Sequence, residues 1–124
     1  MNKQIEGLAI LRQAIDYYGC EMQLNVAVEE FAELTKEICK HKRGADNTPQ
    51  IIEEMADCYI MLQQIKMMFA VYDGVVDDEI NRKIERLGQR MEKEKRQRTN
   101  RLCGCAEPFG IMEEINKKMM GEER

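Results

Sequence analysis

With 124 residues, 44% of them hydrophobic and 34% charged, the chain has the length of one ordinary domain and enough apolar side chains for a core. Ten Met, two Pro and no Trp favour helices over the β-branched and aromatic alternation of a β protein. No run reaches the roughly 20 apolar residues of a membrane span, and the N-terminus lacks the apolar core of a signal peptide. We therefore expect a cytoplasmic protein without a membrane partner.

The formal net charge of −4 is unevenly distributed. Residues 1–81 carry 7 basic and 15 acidic side chains, whereas residues 82–101 carry 9 basic and 3 acidic ones. A basic segment is typical of nucleic-acid binding or of a solvated helix face. A third interpretation is that the segment folds back onto the acidic part and binds an anion, which makes nucleic acid the less favoured partner.

Four segments of helical periodicity are separated by glycines at positions 19, 44, 74 and 104. The predicted helices run from about Ile5 to Tyr18, from about Glu21 to Arg43, from Thr48 to about Tyr72, and from Asp77 to about Gln97. Asn47-Thr48-Pro49 predicts the start of the third helix, because it offers an N-cap residue followed by proline at the first helical position. Asp73-Gly74 predicts a break, after which Asp77 caps the fourth helix.

Four helices joined by short breaks predict an all-α, four-helix-bundle-type protomer. We assign residues 1–98 to this domain and residues 99–124 to a tail, irregular at first and with a short helix at about 111–120. The odd number of five cysteines argues against a disulfide framework. Cys103 and Cys105 could form half of a zinc site, but no second pair completes it, so two free thiols are the simpler interpretation.

Two kinds of stripe follow the second and third helices at three-four spacing. The predicted core seams are apolar: Leu24, Ala27, Phe31, Leu34 and Ile38, then Ile51, Met55, Cys58, Tyr59 and Leu62. The neighbouring stripes contain acids: Val26, Glu30, Glu33 and Glu37, then Glu54, Asp57, Met61, Ile65 and Met68. On the third helix the acids share their stripe with methionine and isoleucine, which indicates that this stripe faces other helices.

Carboxylates clustered between helices repel one another and lose hydration, at a cost of several kcal/mol per ion unless a positive charge compensates. A divalent cation supplies that charge. The ordinary alternative is a solvated acidic face paired with Lys36 and Lys40. The only histidine, His41, lies outside the cluster, so the ligands are all oxygens, which suits Mg²⁺, or Mn²⁺ in its place.

Written out, the acidic pattern is Glu29-Glu30-x-x-Glu33, twenty residues, then Glu54-x-x-Asp57, and the fourth helix contains Asn81-Arg82-Lys83-Ile84-Glu85-Arg86. This pattern resembles that of the MazG-like nucleotide pyrophosphohydrolases, within the all-α NTP pyrophosphatase superfamily, over roughly residues 20–92. Ile84 stands where that family usually has phenylalanine. The resemblance implies Mg²⁺-dependent hydrolysis of a nucleoside triphosphate to the monophosphate and pyrophosphate, in the service of nucleotide-pool house-cleaning.

The resemblance also implies roles for single residues. Four carboxylates coordinate the metal: Glu30, Glu33, Glu54 and Asp57. Either Glu29 or Glu33 activates the attacking water, and Asn81, Lys83 and Arg86 bind the triphosphate. Tyr17, Tyr18 or Gln23 is a candidate for contact with the base, although helix-end packing and a surface amide are the more ordinary interpretations.

Family members are dimers or dimers of dimers, so we expect a homodimer or homotetramer. The methionine run Met61, Met67 and Met68 agrees with this expectation, because it gives more apolar stripe than four short helices bury.

Two alternatives to the proposed activity stay open. One is a dUTPase-like enzyme or a phosphoribosyl-ATP pyrophosphohydrolase of the same superfamily. The other is a non-catalytic helical adaptor that binds through its basic helix.

Overall fold

The computed structural model describes residues 3–103, with side-chain burial for residues 6–103. It contains four helices: α1 (Lys3–Tyr18), α2 (Cys20–Lys42), α3 (Thr48–Met68) and α4 (Asp73–Leu102). No strand occurs within residues 3–103, so the all-α prediction is confirmed. None of the helices in this part of the chain is long and apolar enough to cross a membrane. The short helix predicted at about 111–120 lies outside the described residues.

Two glycines mark the ends of α1 and α2, as predicted. Gly19 has φ +89° and Gly44 has φ +100°, a backbone conformation that residues with a Cβ rarely adopt. Gly19 N donates to Ile15 O at 2.8 Å, and Gly44 N donates to His41 O at 2.9 Å, so each glycine closes the last turn of its helix.

Asn47 precedes α3, as predicted, but its side chain does not cap the helix. No side-chain cap hydrogen bond is formed there. The Asn47 amide nitrogen donates instead to the backbone oxygen of Glu37 at 2.9 Å and to its carboxylate at 2.6 Å. The Asn47 side chain is therefore not a cap, because its Oδ1, the atom that would accept from the helix backbone, accepts no hydrogen bond while Nδ2 donates to Glu37.

The turn between α3 and α4 comes earlier than predicted. α3 ends at Met68, Ala70 follows with φ +48°, and Val71 N donates to Lys66 O at 2.9 Å. α4 then begins at Asp73, so the predicted break at Asp73-Gly74 and the predicted cap at Asp77 are wrong. α4 also continues past the predicted end near Gln97 to Leu102.

The chain divides into two compact units, Met1–Val76 and Asp77–Arg124. In the first unit α2 packs against α3, and α1 packs against both. Four hydrophobic side chains are buried at its centre: Ile15, Ala27, Cys58 and Met61. The predicted division into residues 1–98 and 99–124 is tested by neither observation and stays a prediction.

The predicted core seams are only partly buried. Ala27 and Cys58 lie in the core, whereas Ile38, Tyr59 and Leu62 are 45%, 65% and 48% exposed. Met55, at 43%, is exposed as well. The inward face of α3 lies between the two predicted stripes and contains Cys58, Met61 and Gln64. Periodicity alone does not decide between two adjacent stripes, since each helix of a three-helix unit buries only one face.

Candidate metal centre

Three of the four predicted metal ligands come together between α2 and α3. Glu30, Glu54 and Asp57 each place one carboxylate oxygen so that the three atoms lie within 4.8 Å of one another. All three residues are half-buried. Glu54 and Asp57 are one turn apart on α3, so both side chains point towards Glu30 of α2.

The backbone of Glu30 is fixed by its neighbour across the helix pair. Cys58 Sγ donates to Glu30 O at 3.5 Å, and Cys58 itself is buried. Burial, together with the charges of Glu30, Glu54 and Asp57, raises the pKa of the Cys58 thiol. Cys58 therefore stays a neutral thiol that packs beside the carboxylates, and the donor set of the site is all oxygen.

The electrostatics of the site favour a proton or a cation. Burial raises the pKa of Glu30, and the charges of Asp57, Glu29 and Glu33 raise it further. Burial also raises the pKa of Glu54, with additional contributions from Glu30, Glu33 and Asp57. A bound divalent cation would reverse both effects, because it neutralises the charges that cause them. Oxygen ligands at this separation fit Mg²⁺ or Mn²⁺.

The other acids of α2 are held differently. Glu33 lies one turn after Glu30 but outside the group of three, and its carboxylate is 3.3 Å from Lys36 Nζ with the side chain 47% exposed. Its role as a ligand stays a prediction. Glu29 is exposed. Glu37 is buried, and hydrogen bonds from Lys40, at 2.8 Å, and from Asn47 lower its pKa.

The predicted phosphate-binding residues Asn81, Lys83 and Arg86 lie on α4 within the second unit, and all three are exposed. Glu79 forms ion pairs with this segment: its Oε1 lies 3.8 Å from Lys83 Nζ and 4.0 Å from a terminal guanidinium nitrogen of Arg86. Arg82 pairs with the same carboxylate. These contacts are local to one helix, at spacings of three, four and seven residues.

Arg90 is a residue that the sequence motif did not single out. It lines one concave surface of α4 together with Lys83, Arg86 and Leu87. Spacings of four residues from Arg86 and seven from Lys83 put the three cations on one helix face. The same spacing in the sequence could have pointed to Arg90.

The candidates for base contact lie at the junction of α1 and α2. Tyr17 and Tyr18 pack edge to face with ring centroids 4.8 Å apart and are 82% and 60% exposed. Gln23 is buried and donates to Gln64 Oε1 at 2.8 Å. The interpretation of Gln23 as a surface amide is therefore wrong, because the amide pairs with a second buried glutamine.

Comparisons with protein-family models, with curated proteins and with solved structures found no match for this chain. The features of this chain that bear on its function are therefore the carboxylate site and the sequence motif that contains it.

Proposed function

We propose that the protein is a Mg²⁺-dependent nucleoside triphosphate pyrophosphohydrolase, which converts a triphosphate and water to the monophosphate and pyrophosphate. The observation that carries the proposal is that the half-buried residues Glu30, Glu54 and Asp57 each place one carboxylate oxygen within 4.8 Å of the others. A solvated acidic face has no reason to bring three carboxylates from two helices to one point, since their repulsion lowers stability.

Each group has a role in the proposed reaction. Glu30, Glu54 and Asp57 hold the metal, with Glu33 as a fourth ligand one turn further along α2. Bound there, Mg²⁺ supplies charge that offsets the phosphate oxygens. Glu29 or Glu33 orients the water and accepts its proton.

The cationic residues of α4 complete the proposed set. Lys83 and Arg86 bind the phosphate oxygens through charge-assisted hydrogen bonds, and the Asn81 amide donates a further one. Their present partner, Glu79, is also an oxygen anion, which agrees with this preference.

We also propose a homodimer or a dimer of dimers as the working assembly. Of the three methionines, Met61 is buried within its own unit and offers no surface to a second subunit. Better support comes from the outer stripe of α3, where Ile52, Met55, Tyr59 and Leu62 follow three-four spacing and are 43–65% exposed. Sedimentation should give at least twice the 14.5 kDa of the chain, and an active monomer would contradict the assembly.

Product analysis tests the reaction. Purified protein is incubated with single triphosphates, with Mg²⁺, with Mn²⁺ and with a chelator, and pyrophosphate is measured beside the nucleotide product. We expect monophosphate and pyrophosphate only when a metal is present. Orthophosphate with a nucleoside diphosphate would put the cut at the wrong bond and refute the proposal.

The substrate panel separates the related alternatives. Exclusive turnover of dUTP would favour a dUTPase-like enzyme, and exclusive turnover of phosphoribosyl-ATP would favour that pyrophosphohydrolase. An adaptor turns over none of them. Thermal melting with and without Mg²⁺ adds a binding measurement, because a ligand that binds the folded state raises the midpoint.

A further inference from the structure

Two buried side-chain contacts join the α2–α3 pair near its two ends. In the first, Gln23 Nε2 donates to Gln64 Oε1 at 2.8 Å, and the residues are 6% and 2% exposed. In the second, Asn47 Nδ2 donates to Glu37 Oε2 at 2.6 Å and to Glu37 O at 2.9 Å, again between buried residues. We call them the glutamine contact and the asparagine contact.

On α2 the carboxylate site lies midway between the two contacts. Glu30 is seven residues after Gln23 and seven residues before Glu37. Seven residues make about two helical turns, or roughly 10 Å along the axis. All three side chains therefore lie on nearly the same face of α2, in the order glutamine, metal ligand, glutamate.

The partner segment repeats this spacing in the opposite direction. Gln64 is seven residues after Asp57, and Asn47 is seven residues before Glu54. The start of α2 thus meets the end of α3, and the end of α2 meets the residue before α3. The two contacts enclose the carboxylates in an antiparallel helix pair.

Contacts of this kind constrain register more strongly than apolar contacts do. Apolar side chains at a helix seam repack with little loss after a shift, whereas a shifted amide loses a directional partner and stays buried. Asn47 has no alternative partner that would hold it after a shift. Within the described residues its side chain donates only to Glu37, and its buried Oδ1 accepts no hydrogen bond. Buried polar groups that set helix register are known from coiled coils.

We propose that the glutamine contact and the asparagine contact are positioning contacts, which fix the register of α2 against α3 and so hold Glu30 opposite Glu54 and Asp57. This inference rests on the proposed function, because it assigns the contacts a role at the proposed metal site. Neither contact touches the metal or the substrate, so both act through the three carboxylates.

Mn²⁺ affinity, followed by the electron paramagnetic resonance of the free ion, tests the role. The double variant Gln23→Met/Gln64→Met removes the glutamine contact, together with the bond from Gln64 Nε2 to Leu11 O of α1 at 3.3 Å, with little change of volume. Asn47→Ala removes the asparagine contact. Groups that touch and orient metal ligands typically contribute about 10–100-fold to metal affinity, and these contacts act from about two turns away. We therefore expect the Mn²⁺ dissociation constant to rise by ~10-fold, at the low end of that range, in each variant. The matched control Gln13→Met/Gln63→Met makes the same chemical change at exposed positions and should bind as the wild type does.

Thermal melting separates positioning from stability. Methionines in place of a buried polar pair should leave the midpoint unchanged or raise it, while Mn²⁺ binding weakens. Glu37→Gln keeps an acceptor for Asn47 and should retain the affinity, which provides a second test if Asn47→Ala does not fold. Mn²⁺ affinity within about twofold of wild type in both contact variants would overturn the inference.

Hydrogen exchange measures the register of α2 against α3 without any bound metal, so it tests the inference even if the proposed function is wrong. A wild-type protein that binds no Mn²⁺ refutes the metal site, yet the register is still measured by amide protection in α2 and α3. In the Gln23→Met/Gln64→Met variant we expect faster exchange only at the α2 and α3 amides next to the removed contact, through local opening that leaves the melting midpoint unchanged. The exposed control should exchange as the wild type does. Equal protection in wild type and both contact variants would overturn the register role.

Discussion

The carboxylates of α2 and α3 and the cations of α4 are held by different kinds of structure. Glu30, Glu54 and Asp57 come from two helices, are half-buried, and meet only because tertiary packing brings them together. Lys83 and Arg86 have side chains 65% and 70% exposed, and their partner Glu79 lies on their own helix.

This difference decides how much each set says about function. Exposed ion pairs at helical spacing contribute about 0–1 kcal/mol and occur on many helices. Convergent, half-buried acids oppose folding until a cation or a proton binds, which the raised pKa values of Glu30 and Glu54 reflect. The proposed function therefore depends mainly on the carboxylates as metal ligands, and the cations of α4 add only the proposed phosphate binding.

Neutralising one ligand should have the largest effect. Glu54→Gln and Asp57→Asn should each lower pyrophosphate release at least ~100-fold, since a lost ligand costs more than a lost supporting contact. The metal-free variants should also melt higher than the wild type, because one of several repelling charges is gone. Activity assays with saturating Mg²⁺ and melting in a chelator measure the two effects on the same samples.

A neighbouring glutamate provides the control. Glu53→Gln makes the same change at an exposed position of α3, one residue before Glu54. It should keep near-normal turnover. If Glu54→Gln or Asp57→Asn does the same, that residue is not a metal ligand.

The next effect in size concerns the cations. Lys83→Ala should raise KM or lower kcat by at least ~10-fold, which corresponds to roughly 1.4 kcal/mol of phosphate binding. Arg90→Ala, on the same face of α4, should have an effect in the same direction. Steady-state kinetics with Mg²⁺ in excess measure both, and normal hydrolysis by Lys83→Ala would remove the phosphate-binding role.

A smaller effect is expected in the pH dependence of the metal-free protein. The folded-state pKa of Glu30 and of Glu54 is raised above the ordinary value of 4.5, so the folded state binds these protons more tightly than the unfolded state. Their contribution to stability is therefore fully present below pH 4.5 and is lost as pH rises through the folded-state values. Melting in a chelator should show this decline, and Mg²⁺ or Glu54→Gln should reduce it. An identical pH profile in Glu54→Gln would contradict the assignment.

Much of the fold was predictable where one residue type determines the backbone. Gly19 and Gly44 end their helices because both positions require positive φ. The turn after α3 was missed because Ala70, not a glycine, adopts positive φ there, and no sequence signal marks it. The break predicted at Gly74 is absent, because a glycine within the first turn of α4 is tolerated.

The site was predictable in its composition but not in its detail. Acids three residues apart on two adjacent helices predict convergence, and Glu30, Glu54 and Asp57 do converge. Glu33 stays outside the group of three, and its carboxylate pairs with Lys36 instead, as the alternative of a solvated acidic face predicts for this residue. The burial of Gln23 was missed because a single polar residue in an amphipathic helix is usually exposed, and only its partner Gln64 explains why it is buried.

The smallest effect is expected from the distal cations of α4. α4 is continuous to Leu102, so Lys93, Lys95 and Arg96 lie about 15–20 Å beyond Lys83 along the helix axis. Lys95 already pairs with Glu92 at 3.4 Å on the exposed surface. A triple alanine variant of these three residues should therefore hydrolyse triphosphates at close to the wild-type rate, because a triphosphate held at Lys83 does not reach them.

The same triple variant distinguishes an enzyme from an adaptor. A protein that binds a polyanion through α4 uses charges along its whole length, and its affinity falls steeply with salt. In that case the triple variant would lose more DNA affinity than Lys83→Ala, and hydrolysis would be absent throughout. For the enzyme we expect the reverse: hydrolysis sensitive to Lys83→Ala and insensitive to the triple variant, with DNA binding weak in every protein tested. Measuring both activities for both variants at two salt concentrations separates the two functions, because the distal cations contribute to only one of them.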